Sequence, residues 1–258
     1  MSYSKLNDRI NPAVEDNKQT IPKVIFQTYK TRNLQKGMYQ AAKSWSKKNP
    51  DYDYYFFDDA AQRQLIEQHF EQDVLKAYDK LDVGAFKADL WRYCVLFIYG
   101  GVYADIDTVC LQQLSKVISA HDSFIAPFAG IVPGGIFNAF ICAKKGHPFL
   151  DASIKLATQM TLNGGHDHPL SITGPLCMGR AINRILGRDI NTEFLQGKYL
   201  INGYDFKILE KKRSAVPEER TVRWKNQTIF LCKYPGYRKE LRGSGGQHWD
   251  QFFNKGSM

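Results

Sequence analysis

The 258-residue chain is 43% hydrophobic and 13% aromatic, enough for one sizeable core and unlike disordered or fibrous sequences. No apolar run approaches the ~20 residues of a membrane span, and the polar, acid-bearing start does not read as a signal peptide. The net charge of +9 is concentrated in residues 207–242, where 11 basic side chains face 4 acidic ones. That excess fits a solvated basic face, a nucleic-acid surface, or a surface for anionic headgroups or a diphosphate.

In chain order, residues 1–20 read as a loose arm. Lys23–Thr28 is rich in β-formers and is predicted as a first strand. A helix over 36–48 and a turn at Asn49-Pro50-Asp51 lead to a second strand, Tyr52–Phe57. Asp59 caps a helix to about Phe70, and a shorter helix runs to about Lys80. Asp82 opens an apolar helix that ends at Gly100-Gly101, and Val102–Val109 is the third strand. This β-α-β-α-β order argues a layered α/β fold with a parallel sheet.

Beyond it, Ser123–Pro127 and Ala139–Ala143 are short strands around the Pro133-Gly134-Gly135 turn. Pro148–Leu162 is a helix, and Thr173 caps another that closes at Gly187. Residues 199–242 are mixed, with a strand at Thr228–Cys232, and 243–258 form a flexible tail or lid. No repeat or linker divides the chain, so 1–258 is expected to be one domain. The five cysteines (Cys94, Cys110, Cys142, Cys177, Cys232) lack metal-ligand spacing and read as reduced, buried thiols of a cytoplasmic protein.

The chemistry gathers in Ala85–Thr108. Strand alternation puts Tyr103, Asp105 and Asp107 on one face and Val102, Ala104 and Ile106 on the other. Two neighbouring carboxylates at the carboxyl end of a strand suit a hard Mg²⁺ or Mn²⁺ completed by phosphate and water; the plainer reading is two exposed acids. Asp89 and Arg92 are three apart on an apolar helix, so they survive there as an internal ion pair or as ligands facing the same cavity. Tyr29, just past the first strand, could stack on a base. His248 could complete a metal shell and Trp249 could reach a phosphate oxygen. No Walker loop, strand–GxGxxG–helix or Gly-x-Ser-x-Gly elbow occurs.

The segments IPKVIFQTYK, NPDYDYYFFDD, AFKADLWRYCVLFIYGGVYADIDT, FNAFICAKKGHPFL and SITGP resemble the DXD-containing sugar-transferase family 32. That family includes mannosyltransferases and α-1,4-galactosyl- and N-acetylglucosaminyltransferases. The resemblance implies a GT-A-type, Rossmann-like central sheet flanked by helices, with a smaller mixed C-terminal part. It implies metal-dependent, retaining transfer from a UDP- or GDP-sugar to a glycan, glycolipid or glycoprotein hydroxyl. It makes Asp89, Arg92 and Asp105 the catalytic set, and Asp105, Asp107 and His248 the metal set. The donor set becomes Thr28, Tyr29, Asp89, Arg92, Tyr103, Asp105, Asn138 and Trp249. Phe26 and Tyr29 stand where the family usually has histidine and tryptophan. The basic 207–242 region would touch an anionic membrane, and no nucleic-acid partner is expected. Two alternatives remain open: a haloacid-dehalogenase-like phosphatase using Asp105 and Asp107, and a non-catalytic polyanion-binding module.

Overall fold

A computed structural model describes residues 3–5, 19–130, 132–164 and 167–243. The chain begins with β1 (Tyr3–Lys5), β2 (Val24–Thr28), β3 (Asn33–Gln35), α1 (Lys36–Lys48) and β4 (Asp53–Phe57). It continues through α2 (Asp59–His69), α3 (Gln72–Lys80), α4 (Gly84–Tyr99), β5 (Gly101–Ala104) and β6 (Val109–Cys110). Next come β7 (Phe124–Pro127), β8 (Phe140–Ala143), α5 (Pro148–Asn163) and α6 (Pro175–Ile185). The described part closes with β9 (Gly197–Ile201), β10 (Tyr204–Lys212), β11 (Thr221–Trp224), β12 (Gln227–Leu231) and α7 (Tyr237–Gly243). Within the arm expected to be loose, β1 pairs antiparallel with β3.

The main sheet runs β4-β2-β5-β8-β7-β10-β11-β12-β6, with β9 added on β10. The expected parallel start is present: β2 pairs in parallel with both β4 and β5. The rest is mixed, because β8 lies antiparallel between β5 and β7, and β10 is parallel to β7. The carboxyl ends of β2, β4, β5, β7 and β10 therefore share one rim. Strand β6 follows β5 after only residues 105–108, yet it pairs with β12 at the far end of the order. So short a link requires the sheet to curl back on itself.

The predicted strand over Val102–Val109 is thus two strands and a turn. Asp105 O accepts from Thr108 N (3.1 Å), Thr108 Oγ1 (2.5 Å) and Gln27 Nε2 (3.2 Å), which folds the chain over. The predicted inward and outward faces are also corrected, since all four residues of β5 are buried. Val102 and Ala104 pack with Trp45, Phe140 and Phe230 inside the curl. Tyr103 packs with Phe26 and Trp91 against the helices, and Ile106 joins Leu34, Met38 and Tyr234 in a third cluster. A sheet covered on both sides offers no solvent face to alternate against.

Helix α4 starts at Gly84 with Val83 as its cap, not at Asp82, and Gly100 ends it with φ +68°. Helix α2 is capped by Asp58, whose carboxylate accepts from Ala61 N at 3.0 Å, one residue earlier than expected. The N-cap of α6 is Gly174, and the Thr173 hydroxyl is turned elsewhere. All five cysteines are buried and free.

Candidate active site

Helix α4 places Asp89, Arg92 and Tyr93 one turn apart on a face that meets the carboxyl end of β5. Nine of its residues are buried, including these three, so the charges must be satisfied within the protein. Arg92 Nη2 lies 3.1 Å from both Asp89 Oδ1 and Asp105 Oδ1. Its Nε donates to Ala88 O (3.0 Å) and its Nη1 to Asn138 O (2.8 Å). The guanidinium also lies 4.5 Å from the centre of the Tyr103 ring.

The second layer of bonds fixes the carboxylates. Asn138 Nδ2 donates to Asp89 Oδ1 (2.9 Å) and to the Tyr93 hydroxyl (2.7 Å). The Thr173 hydroxyl donates to Asp89 Oδ2 at 3.3 Å, while Tyr93 OH donates to Thr173 O at 2.7 Å. Tyr103 OH donates to Asp105 Oδ1 at 2.8 Å. Burial pushes the Asp89 carboxyl up to about 6, against the opposing pull of Arg92. Burial also disfavours the charge on Arg92, but Asp105 and Asp89 outweigh it and hold the guanidinium above its ordinary range.

Asp107 leaves this network and turns toward the C-terminal ribbon. Its carboxylate contacts Lys233 Nζ, and its backbone carbonyl accepts from Tyr234 N at 3.0 Å. Lys233 lies 4.8 Å from the centre of the Tyr237 ring. Burial works against the Lys233 charge, and the Asp107 carboxylate more than restores it. The turn itself is pinned by the Gln27 amide on Ala104 O and Asp105 O, and by Trp45 Nε1 on Thr108.

The structure therefore brings Asp89, Arg92, Tyr103, Asp105 and Asn138 into one network, with Asp107 on the adjoining side of the turn. Tyr103 is 1% exposed, so it touches the site through Asp105 and Arg92 rather than lining an open donor pocket. The Thr28 hydroxyl is used within the sheet, donating to Phe57 O at 2.7 Å. Half-buried Tyr29 packs against the cluster of Ile106, Tyr234 and Tyr237 beside the turn. Phe26 fills the core, stacked on Tyr55 at 5.7 Å. His248, Trp249 and the tail lie outside the described residues.

Sequence reasoning missed Gln27, Tyr93, Thr173, Lys233 and Tyr237. Tyr93 had a readable signal, one residue from Arg92 and four from Asp89, and Gln27 and Thr173 lay within the segments IPKVIFQTYK and SITGP; Lys233 and Tyr237 come from a distant stretch and had none. The basic 207–242 segment is not one solvated face. Lys207 is buried against Asp122, Lys211 is buried beneath the Phe137 ring, and Lys233 serves Asp107.

The carboxylates of Asp105 and Asp107 are hard oxygen donors that suit Mg²⁺ or Mn²⁺. Among the described residues no three His, Cys, Asp or Glu side chains converge. A cation held here would draw the rest of its shell from phosphate oxygens and water, which fits these two residues.

Comparison with known proteins gives this geometry a context. Solved structures share the fold: the PaToxG glycosyltransferase aligns with a TM-score of 0.54 at 18% identity, over 66% of this chain and 70% of that one. The ligand-free glycosyltransferase domain of the YGT toxin aligns at 0.50 and 9% identity, over 65% and 78%. The sheet and its flanking helices are of the GT-A type. Inositol phosphoceramide mannosyltransferase 3 of Schizosaccharomyces pombe is 32% identical, over 67% of this chain and 48% of its own length. The initiation-specific alpha-1,6-mannosyltransferase of Candida albicans is 34% identical, over 57% and 45%. The chain spans about half the length of these relatives. Residues 35–125, which include Asp89, Arg92, Asp105 and Asp107, match the model of the glycosyltransferase sugar-binding region containing a DXD motif. Residues 35–125 thus carry the sugar-binding region of the DXD-containing glycosyltransferases, and the chain is similar to mannosyltransferases of that kind over about half their length.

Proposed function

We propose that the protein is a metal-dependent, retaining hexosyltransferase that moves a sugar from a nucleotide-sugar to an acceptor hydroxyl. The observation that carries this reading is the Asp89–Arg92–Asp105–Asn138 network on the carboxyl rim, next to Asp107. Buried charges held by several hydrogen bonds keep their geometry without a ligand, which is what positioning a reacting sugar requires.

In this reading Asp89, Arg92 and Asn138 hold the sugar hydroxyls, and Tyr103 keeps Asp105 aimed at the ribose or a metal-bound water. Tyr29, with Thr28, lines the base end. Asp105 and Asp107 would hold Mn²⁺ or Mg²⁺, which would supply positive charge against the leaving diphosphate. His248 and Trp249 are assigned to the same ligand, as a metal ligand and a closing contact. The departing phosphate serves as the base for front-face attack, and no protein nucleophile is assigned.

The mannosyltransferase names of the relatives make GDP- and UDP-hexoses the donors to test, mannose first. A glycan or lipid-linked acceptor follows from the same names. An open surface depression lined by Lys212, Arg213 and Arg223 together with Glu219 supports contact with an anionic acceptor or membrane surface. Cytoplasmic placement at such a surface, in the synthesis of a glycan or polysaccharide, completes the proposal.

The test is a panel of GDP- and UDP-hexoses with Mn²⁺, read by thermal shift and by donor hydrolysis, with Asp107→Ala as control. At least one donor should raise the wild-type Tm and be hydrolysed, with EDTA abolishing hydrolysis. A panel in which no donor stabilises the wild type refutes the reading.

A further inference from the structure

Lys233 lies outside the family-matched segment, just after β12. One backbone bond delivers it to the DXD turn, Tyr234 N to Asp107 O at 3.0 Å, while Cys232 N donates to Arg220 O at 2.8 Å beside β11. The ammonium contacts Asp107 Oδ2, and its side chain is 23% exposed against 12% for Asp107. Among the described residues the face of Tyr237 also lies beside it, a weak site for a cation compared with a carboxylate. The ammonium thus rests on an oxygen that a divalent cation bound to Asp107 would use. Two cations on one partly buried carboxylate repel strongly, because little water screens them.

We propose that Lys233 is a built-in counter-ion of the DXD motif, which competes with the divalent metal for Asp107 and yields only when a diphosphate arrives with the metal. The side chain is partly exposed rather than sealed in. Once displaced, its ammonium needs a new anion, and the diphosphate oxygens beside the metal supply one. Metal and nucleoside diphosphate then bind cooperatively, each improving the other's affinity by the same factor. Without nucleotide, the lysine keeps Asp107 neutralised and ordered, as Arg92 does Asp105. The inference rests on the sugar-nucleotide reading above and adds its order of assembly.

The experiment counts free Mn²⁺ by solution EPR in titrations of the full chain, alone and with saturating UDP or GDP. Wild type should bind Mn²⁺ weakly alone and at least tenfold more tightly with the nucleotide. Lys233→Met should bind Mn²⁺ alone at least tenfold more tightly than wild type and lose most of the nucleotide effect. Lys233→Arg, which keeps the charge, should behave as wild type. Circular dichroism checks that each variant is folded, and Asp107→Asn should abolish the gain made by Lys233→Met. If both proteins bind Mn²⁺ and nucleotide with equal affinities, the counter-ion role fails and the transferase reading stands. If neither binds Mn²⁺ or any sugar nucleotide, both fail.

Discussion

Arg92 donates to two backbone carbonyls and faces two carboxylates, so its side chain answers four acceptors with one rigid fork. Lysine cannot reproduce that geometry. Arg92→Lys is expected to lower kcat/KM for sugar transfer by about 10²-fold or more, measured with the donor found by the panel. Arg92→Met leaves buried Asp89 and half-buried Asp105 without their cation and is expected to cost about 3–5 kcal/mol by denaturant unfolding. Asp89 carries a pH signature. Its folded carboxyl is raised to about 6, while an unfolded aspartate titrates near ~3.9. Between those values the folded state holds the extra proton. Its contribution to stability is therefore full below about pH 4 and is lost as pH rises through about 6, by roughly 3 kcal/mol in total. The Tm of wild type relative to Asp89→Asn should fall from pH 4 to about 6 and level off above it. A flat difference would show that Asp89 does not titrate in that window.

Among the elements, the α4–β5 corner matters most for the site. Gly100 and Gly101 both have positive φ, at +68° and +98°. A Cβ on Gly101 would sit 2.8 Å from Val24 O, so the backbone of β2 approaches too closely for any side chain. Gly101→Ala is expected to cost about 2–3 kcal/mol through strain and overpacking. Because the corner sets Asp89 and Arg92 against Asp105, donor affinity should fall with it. Thermal unfolding and donor titration of the same variant check both. The corner was legible from Gly-Gly after an apolar helix, as were helix α1 and the first strands. The break of the third strand at Ala104 was not. Val102–Val109 alternates well enough for one strand, and the turn exists because Gln27 and Trp45, from other elements, take up its backbone groups.

At the scale of the molecule, the curl of the sheet ties the N-terminal donor half to the C-terminal ribbon. Phe230 on β12 is fully buried, with its ring centre 5.0 Å from that of Phe140 and 5.6 Å from that of Trp45. Trp45 in turn bonds Thr108 of the DXD turn. Phe230→Ala is expected to cost about 3–5 kcal/mol, in a single calorimetric transition. Two separated transitions would show that the halves fold independently. Weakened Mn²⁺ binding in the same variant would report the link from ribbon to turn.

The elements of the donor half, and the site residues that lie close together in it, were readable before any fold was known. Asp89 and Arg92 are linked by helical periodicity, and Asp105 and Asp107 by one intervening residue, so local geometry alone makes them neighbours. The resemblance added Asn138, which the tertiary structure then bonded to Asp89. The remaining features came from contacts between residues far apart in the chain. These are the mixed sheet and its curl, Thr173 on Asp89, Gln27 under the turn, and Lys233 on Asp107, 126 positions away. A lysine in a basic stretch looks the same whether it faces water or a buried carboxylate. Its partner is set by where the strands pair, and periodicity within one element holds no record of that.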